Sequence, residues 1–251
     1  MDYKLSEDEN YHMLIDELDK RGLDKERNEV VGLVHYLESM EQQFTNVLDE
    51  LQQVRCQLEK IQDKGIRKTV LKITDKAKEA VKKSLSKINT VKSNLSHFFK
   101  NVSKGIKNRS TQTLKKAVRG LRIPDVLAQI KIELSNLKNN LYRKANKIEL
   151  VKYEVDSAKN HIKNAFRTLF SKAYKPDKKS DKGILSVIRK SLLKCGNIVS
   201  KMEGAAEIAM NKSSQFSKTE DKQSVKNKLD SLKSQHNYTI EKTVPVKEQA
   251  R

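Results

Sequence analysis

The chain has 251 residues, 36% of them hydrophobic, with three Pro, eight Gly and no Trp; few residues interrupt helices, and the low apolar content suits long helices that each bury one narrow stripe. Runs of β-branched and aromatic residues and Asn-Gly or Asp-Gly turns are missing, which excludes a sheet fold. The net charge of +20 is uneven, with −9 over residues 1–63, +16 over 64–122 and +13 over 123–251. That balance favours polyanionic partners or a merely solvated basic surface.

In chain order, residues 1–22 predict a short helix: Ser6 and Glu9 have capping-box spacing, Tyr11, Leu14, Ile15 and Leu18 share a face, and Gly22 terminates it. Residues 23–64 predict an acidic coiled-coil helix. Its seam runs Val30, Leu33, Leu37, Met40, Phe44, Val47, Leu51, Val54, Leu58, Ile61 at unbroken 3-4 spacing, widened by Val34 and Leu48. Leu51 and Leu58 at a positions, with Val54 and Ile61 at d, lean toward three or four packed helices rather than a two-stranded zipper.

Residues 65–122 predict a basic amphipathic helix, with Gly65 as either a hairpin turn or a kink. Its stripe is Ile66, Val70, Ile73, Ala77, Val81, Leu85, Ile88, Val91, Leu95, Phe98 and Val102, with a stutter between Ala77 and Ile88. The pattern weakens from Gly105 to Gly120. Residues 123–175 restart a helix at Pro124. Leu127, Leu134, Leu141, Ile148, Val155, Ile162 and Leu169 fill its a positions; Ile130, Leu137, Val151, Ala158 and Ala165 fill d, with Lys144 the misfit. Residues 176–182 are a linker. A last helix over 183–210 carries Leu185, Ile188, Leu192, Cys195, Val199, Met202, Ala206 and Ala209. From 211 to 251 the chain turns polar, with Val225, Leu229 and Leu232 sparse, and predicts a mostly disordered tail with a nascent helix around 222–234. The expected fold class is all-α, an elongated bundle of coiled-coil-like amphipathic helices.

Catalytic constellations are missing. His12, His35, His97, His161 and His236 never take metal-pair spacing, and no CxxC, phosphate loop or nucleophile elbow occurs. Cys56 and Cys195 are too few for a disulfide framework; Cys195 lies on a stripe and Cys56 at an outward position. The expectation is a non-enzymatic binding protein with no catalytic, cofactor-binding or metal residues, no cofactor and no small-molecule substrate. No apolar run approaches the ~18 residues of a membrane span. The polar start Met1-Asp2-Tyr3-Lys4 does not read as a signal peptide, so the cytoplasm is the expected address.

Function is legible only in the basic segment. Lys68, Lys72, Lys76, Lys82, Lys83, Lys87 and Lys92 lie among Ser and Thr with almost no acids, and each could neutralise a phosphate. No helix-turn-helix spacing or aromatic platform accompanies them, so contact with nucleic acid would be non-specific. Two other readings stand beside it. One is a protein scaffold, or self-association through the seams, with a solvated basic face. The other, less favoured, is a helix lying on anionic membrane with Phe98 and Phe99 inserted.

Several blocks in order resemble the family known as domain of unknown function 6674: Met40-Glu41-Gln42-Gln43-Phe44, the run from Leu51 to Val70, Leu121 to Lys131, His161-Ile162-Lys163-Asn164, and Asp181 to Glu203. The resemblance implies kinship with uncharacterised helical proteins carried by mobile and conjugative elements of Firmicutes. It implies no activity and no functional residues, and favours only a scaffolding or accessory role in DNA transfer or maintenance.

Overall fold

The computed structural model describes residues 4–176 and 183–211, and every long element among them is helical. The chain divides into two units after Met210, and the helical bundle lies in the first of them. A 3-10 turn at Leu5–Glu7 leads into α1 (Glu9–Lys20). The cap of α1 is Asp8 and not the expected Ser6–Glu9 box: the Asp8 carboxylate accepts from Asn10 N–H at 2.9 Å, while Ser6 N–H donates to Glu38 at 2.8 Å. A carboxylate is the stronger acceptor for an orphan N–H at a helix start. Gly22, at φ +62°, closes the helix as its position predicts.

Helix α2 (Asp24–Leu58) buries the predicted seam from Val30 to Leu58, Val34 with it, and Phe44 in its middle is fully enclosed. Ile61, the last seam residue, is buried just past the helix end. The turn spans residues 59–63. Asp63 then caps α3 (Lys64–Ser103) by accepting from Ile66 N–H at 2.9 Å. Gly65 therefore sits inside the first turn of α3, and the join is a hairpin rather than a kink. Far up the hairpin, Lys92 of α3 reaches Glu41 of α2.

The predicted basic helix breaks in two. Gly105 at φ +69° ends the run after α3, a 3-10 turn comes next at Ile106–Asn108, and Ser110 caps α4 (Thr111–Gly120) by accepting from Thr113 N–H. A left-handed residue stops a helix cheaply only where Cβ is missing. Arg21 ties the break down, donating to the carbonyl oxygens of Arg109 and Ile106.

Helix α5 (Ile123–Leu169) starts at Pro124 in its first turn and runs 47 residues, about 70 Å. It ends at Leu169, short of residue 175, because Ser171 turns to φ +52° and Lys172 N–H bonds back to Arg167 O at 2.8 Å. A final helix, α6, covers residues 184–211. Most of the linker expected at 176–182 and the tail expected beyond 211, including the stretch at 222–234, lie outside the described residues.

Ion pairs fix the directions. Ser84 and Lys87 of α3 meet Glu133 of α5. Lys131, Lys138 and Glu149 of α5 pair with Glu207, Glu203 and Arg189 of α6. Lys194 of α6 pairs with Glu50 of α2, and Tyr36 donates to Met202 O at 2.9 Å. Each helix thus runs antiparallel to the next around the ring α2, α3, α5, α6, an up-down-up-down four-helix bundle. Helix α1 packs Tyr11 on Phe99 (ring centroids 5.5 Å apart). Helix α4 sits by the start of α2, where Lys115 and Arg119 flank the enclosed Glu26 carboxylate at 3.7 Å each.

Two seams differ from their predicted positions. On α3 the enclosed residues include Thr74, Ser84, Lys92 and Phe99, while Ile73, Leu85, Val91 and Phe98 only flank the core. At 100° per residue, adjacent positions straddle a broad stripe, and the partner helices decide which one is central. The 4-4 step falls at Ser84–Ile88–Lys92, one turn beyond the predicted stutter. On α5 the misfit Lys144 is bypassed by Ala145, and Lys152 is enclosed where Val151 was expected. Beyond Val155 the seam leaves the core: Ile162 is 60% and Leu169 78% exposed.

Candidate polyanion-binding face

With Val70, Ala77, Val81 and Ile88 turned inward, residues four and seven apart on the opposite side of α3 form one outward line. Lys68, Lys72, Lys76 and Lys83 stand on it, exposed, and Lys82 is exposed on the other flank. None of these five makes an ion pair among the described residues. Asp75, beside Lys76, and Glu79, one turn from Lys76 and Lys83, are also exposed, so the row is not purely cationic.

Two predicted phosphate contacts are engaged elsewhere. Lys92 keeps 11% of its side-chain surface and donates to both Glu41 oxygens at 2.7 Å. It is a core cation balanced by α2 and cannot reach a ligand. Lys87 stays half-exposed but is bound to Glu133. Burial alone would raise the Glu133 carboxyl; hydrogen bonds from Lys87 and Ser84, and the charge of Lys87 and Lys83, outweigh it and hold Glu133 below the usual carboxylate range.

Folding adds cations that the sequence reading missed. Lys144 of α5 comes near enough to Lys76 to feel its charge, and its ammonium is held below the ordinary lysine range by partial burial, then by Lys147, then by Lys76. All three influences act in the same direction. Arg143 and Lys147 are exposed beside it. The one hint in the sequence was Lys144 itself, a cation at a seam position. That it comes near Lys76 is a fact of tertiary structure, since 68 positions separate the two.

The face of α3 that would enter a membrane is occupied. Phe99 is fully enclosed against Tyr11 and Phe98 packs on it at 6.0 Å, so inserting this pair into lipid would require opening the bundle. Among the described residues no helix is long and apolar enough to cross a membrane, and no group of His, Cys, Asp and Glu could hold a metal ion. Cys195 is enclosed and burial pushes its thiol up to about 12, away from thiolate chemistry; Cys56 is exposed. A cleft of about 400 Å³ opens at the turn end of the bundle, where Lys60, Lys152 and Lys159 mix with Asp63 and Asp156. Its charges are of both signs, so it lacks the surplus that distinguishes the α3–α5 face.

A family model described as a family of unknown function, DUF6674, matches residues 7–251. No curated protein and no solved structure matches the chain.

Proposed function

The chain belongs to this family, and because membership carries no activity we propose its function from the α3–α5 face: a non-enzymatic binding module that grips nucleic acid by its phosphates without reading sequence. The observation that carries the reading is the exposed row Lys68, Lys72, Lys76 and Lys83 on α3, with Arg143 and Lys147 exposed on α5 and Lys144 near enough to Lys76 to feel its charge. A surplus of one sign gains from an external polyanion, and each phosphate met releases a condensed counter-ion. From Lys68 to Lys83 the helix advances about 22 Å. A strand of B-DNA offers roughly six phosphates over that length. Five or six contacts correspond to a log–log salt slope of about −5 on duplex.

Sequence-independent contact suits a cytoplasmic scaffolding or accessory factor of a mobile element, the setting that the block resemblance favours. A protein scaffold with a solvated basic face and a peripheral binder of anionic membrane are the rivals. Fluorescence anisotropy with duplex DNA, single-stranded DNA and RNA over a salt series, run beside anionic liposomes, tests the three. The proposed reading gives nucleic-acid affinity that falls steeply with salt and is indifferent to sequence. Salt-resistant liposome binding would favour the membrane, and no binding to any nucleic acid at low salt would sink the proposal.

A further inference from the structure

Past the turn end of the bundle, α5 carries an aromatic face with nothing packed on it among the described residues. Ile162 is 60%, Phe166 58% and Phe170 71% exposed. Val155 and Lys159 line the cleft of about 400 Å³ at that end, opposite the turn between α2 and α3 and the start of α6. Ile162 and Phe166 follow those two by seven residues each, so both stand on the cleft side of the helix, just past its rim. The chain's return leaves them uncovered. Asn164 donates to Lys175 O at 3.0 Å and accepts from Lys175 N–H at 3.2 Å, and Arg167 donates to Ala173 O, which holds residues 173–175 against the other side of α5. From Ser157 to Pro176 there is no acid, against the cations Lys159, Lys163, Arg167, Lys172 and Lys175. A surplus of this kind repels its own copy and attracts a polyanion.

We propose that this end of α5 stacks unpaired bases, so that the polymer held by the α3–α5 face is single-stranded nucleic acid. The inference rests on the phosphate-binding reading of that face and adds a second contact to it. The α3 row reaches the cleft: Lys64, exposed and four residues before Lys68, adjoins the cleft-lining Asp63. A strand whose phosphates follow Lys76, Lys72, Lys68 and Lys64 arrives at the cleft, where Lys159 is exposed on the way to Phe166. Its bases there meet Phe166 and, one turn on, Phe170. A cationic track ending at aromatic rings holds single strands without sequence preference, because every base has a π-face. Paired bases are stacked on one another inside a duplex and offer a protein ring no such face. The aromatic platform missing from the basic segment's own sequence is thus supplied by another helix. Acids are present but outnumbered: Asp63 and Asp156 line the cleft against Lys60, Lys152 and Lys159, Asp63 is engaged by Ile66 N–H, and Glu154 is exposed on the same stretch of α5. A bilayer would have to lie flush along the apolar face, and the turn between α2 and α3 stands on that side of α5. A narrow strand fits the step between them.

The full-length chain and two variants, Phe166→Ala and Phe166→Trp, are titrated with oligo(dT), with a blunt DNA duplex of equal length and with anionic vesicles of phosphatidylserine and phosphatidylcholine. Phe166→Ala should weaken oligo(dT) binding by roughly five- to hundredfold, the range that one stacked base contributes. Duplex affinity, its salt slope and thermal melting should not move, since the ring lies outside the bundle core. The chain has no Trp of its own, so Phe166→Trp reports from this position alone. Its fluorescence should be quenched by oligo(dT) and not by the duplex. If Phe166→Ala binds oligo(dT) as the parent does, or Phe166→Trp is not quenched, while the duplex still binds with a steep salt slope, the stacking inference is overturned and the phosphate-binding reading stands. No binding to either polymer at low salt sinks that reading and this inference with it. Vesicle binding that is lost in Phe166→Ala while oligo(dT) binding is unchanged would assign the face to a membrane and overturn the inference as well.

Discussion

Lys92 and Lys83 look alike in the sequence and are opposites in the structure, which makes them a sharp pair to perturb. Lys92→Gln removes two charge-assisted bonds to Glu41 at 2.7 Å, from a side chain only 11% exposed. Bonds to charged groups contribute about 1.5–3 kcal/mol. Glu41 keeps 27% of its surface and regains water when its partner is lost, so the net cost falls to about 1–2 kcal/mol. For a domain of this size each kcal/mol lowers Tm by about 2–4 °C, giving a fall of roughly 2–8 °C. Lys83→Gln removes an exposed cation and should leave melting unchanged, while the salt slope for duplex DNA becomes shallower by about 0.9. Circular dichroism melts and anisotropy titrations of the two variants read both effects. If Lys92→Gln melts like the parent chain yet loses as much DNA affinity as Lys83→Gln, the assignment of Lys92 to the core is wrong.

Phe44→Ala empties the site of the largest fully enclosed side chain of α2 and should cost about 3–5 kcal/mol in chemical denaturation. Gly196→Ala should lower stability by about 1–3 kcal/mol, because its methyl would meet the Tyr142 ring at 2.8 Å where α5 and α6 approach; melting equal to the parent would contradict that close contact. Glu50 and Glu133 are held below their ordinary carboxyl value of 4.5 because bonds from Lys194 and Ser191, and from Lys87 and Ser84, outweigh the burial that would raise them. Their stabilisation is complete above that value and lost as pH falls through the depressed ones. Acid melts should therefore decline below about pH 4.5, and less steeply in the Glu50→Gln, Glu133→Gln double variant.

The seam of α2 was legible because ten apolar residues at one spacing leave a single face to bury, and that face is the one enclosed. Gly22 was legible for an equally local reason, as was the helix start at Pro124. The break at Gly105 was visible only as a weakening, since whether a glycine ends a helix or rides within it depends on what holds the next turn. Here Arg21, 85 positions from Ile106, holds it. Register on α3 was off by one residue where apolar pairs such as Ile73 and Val91 adjoin polar Thr74 and Lys92. Hydropathy chooses the apolar neighbour, while Glu41, on another helix, makes a lysine acceptable in the middle. The basic face was half legible for the same reason. Its α3 row is read from spacing along one helix, but Lys144 and Lys147 join it only once α5 folds back antiparallel, and Lys92 leaves it only once α2 supplies a carboxylate.

The measurement that bears most directly on the central claim is the salt dependence of duplex binding by the parent chain and by a variant with Lys72, Lys76, Lys83, Lys144 and Lys147 changed to Gln. The parent should show a log–log slope near −5 and the variant a slope close to zero, with helicity retained and no preference among DNA sequences. A variant that binds with the parent's slope would show that the α3–α5 face is not where the phosphates sit.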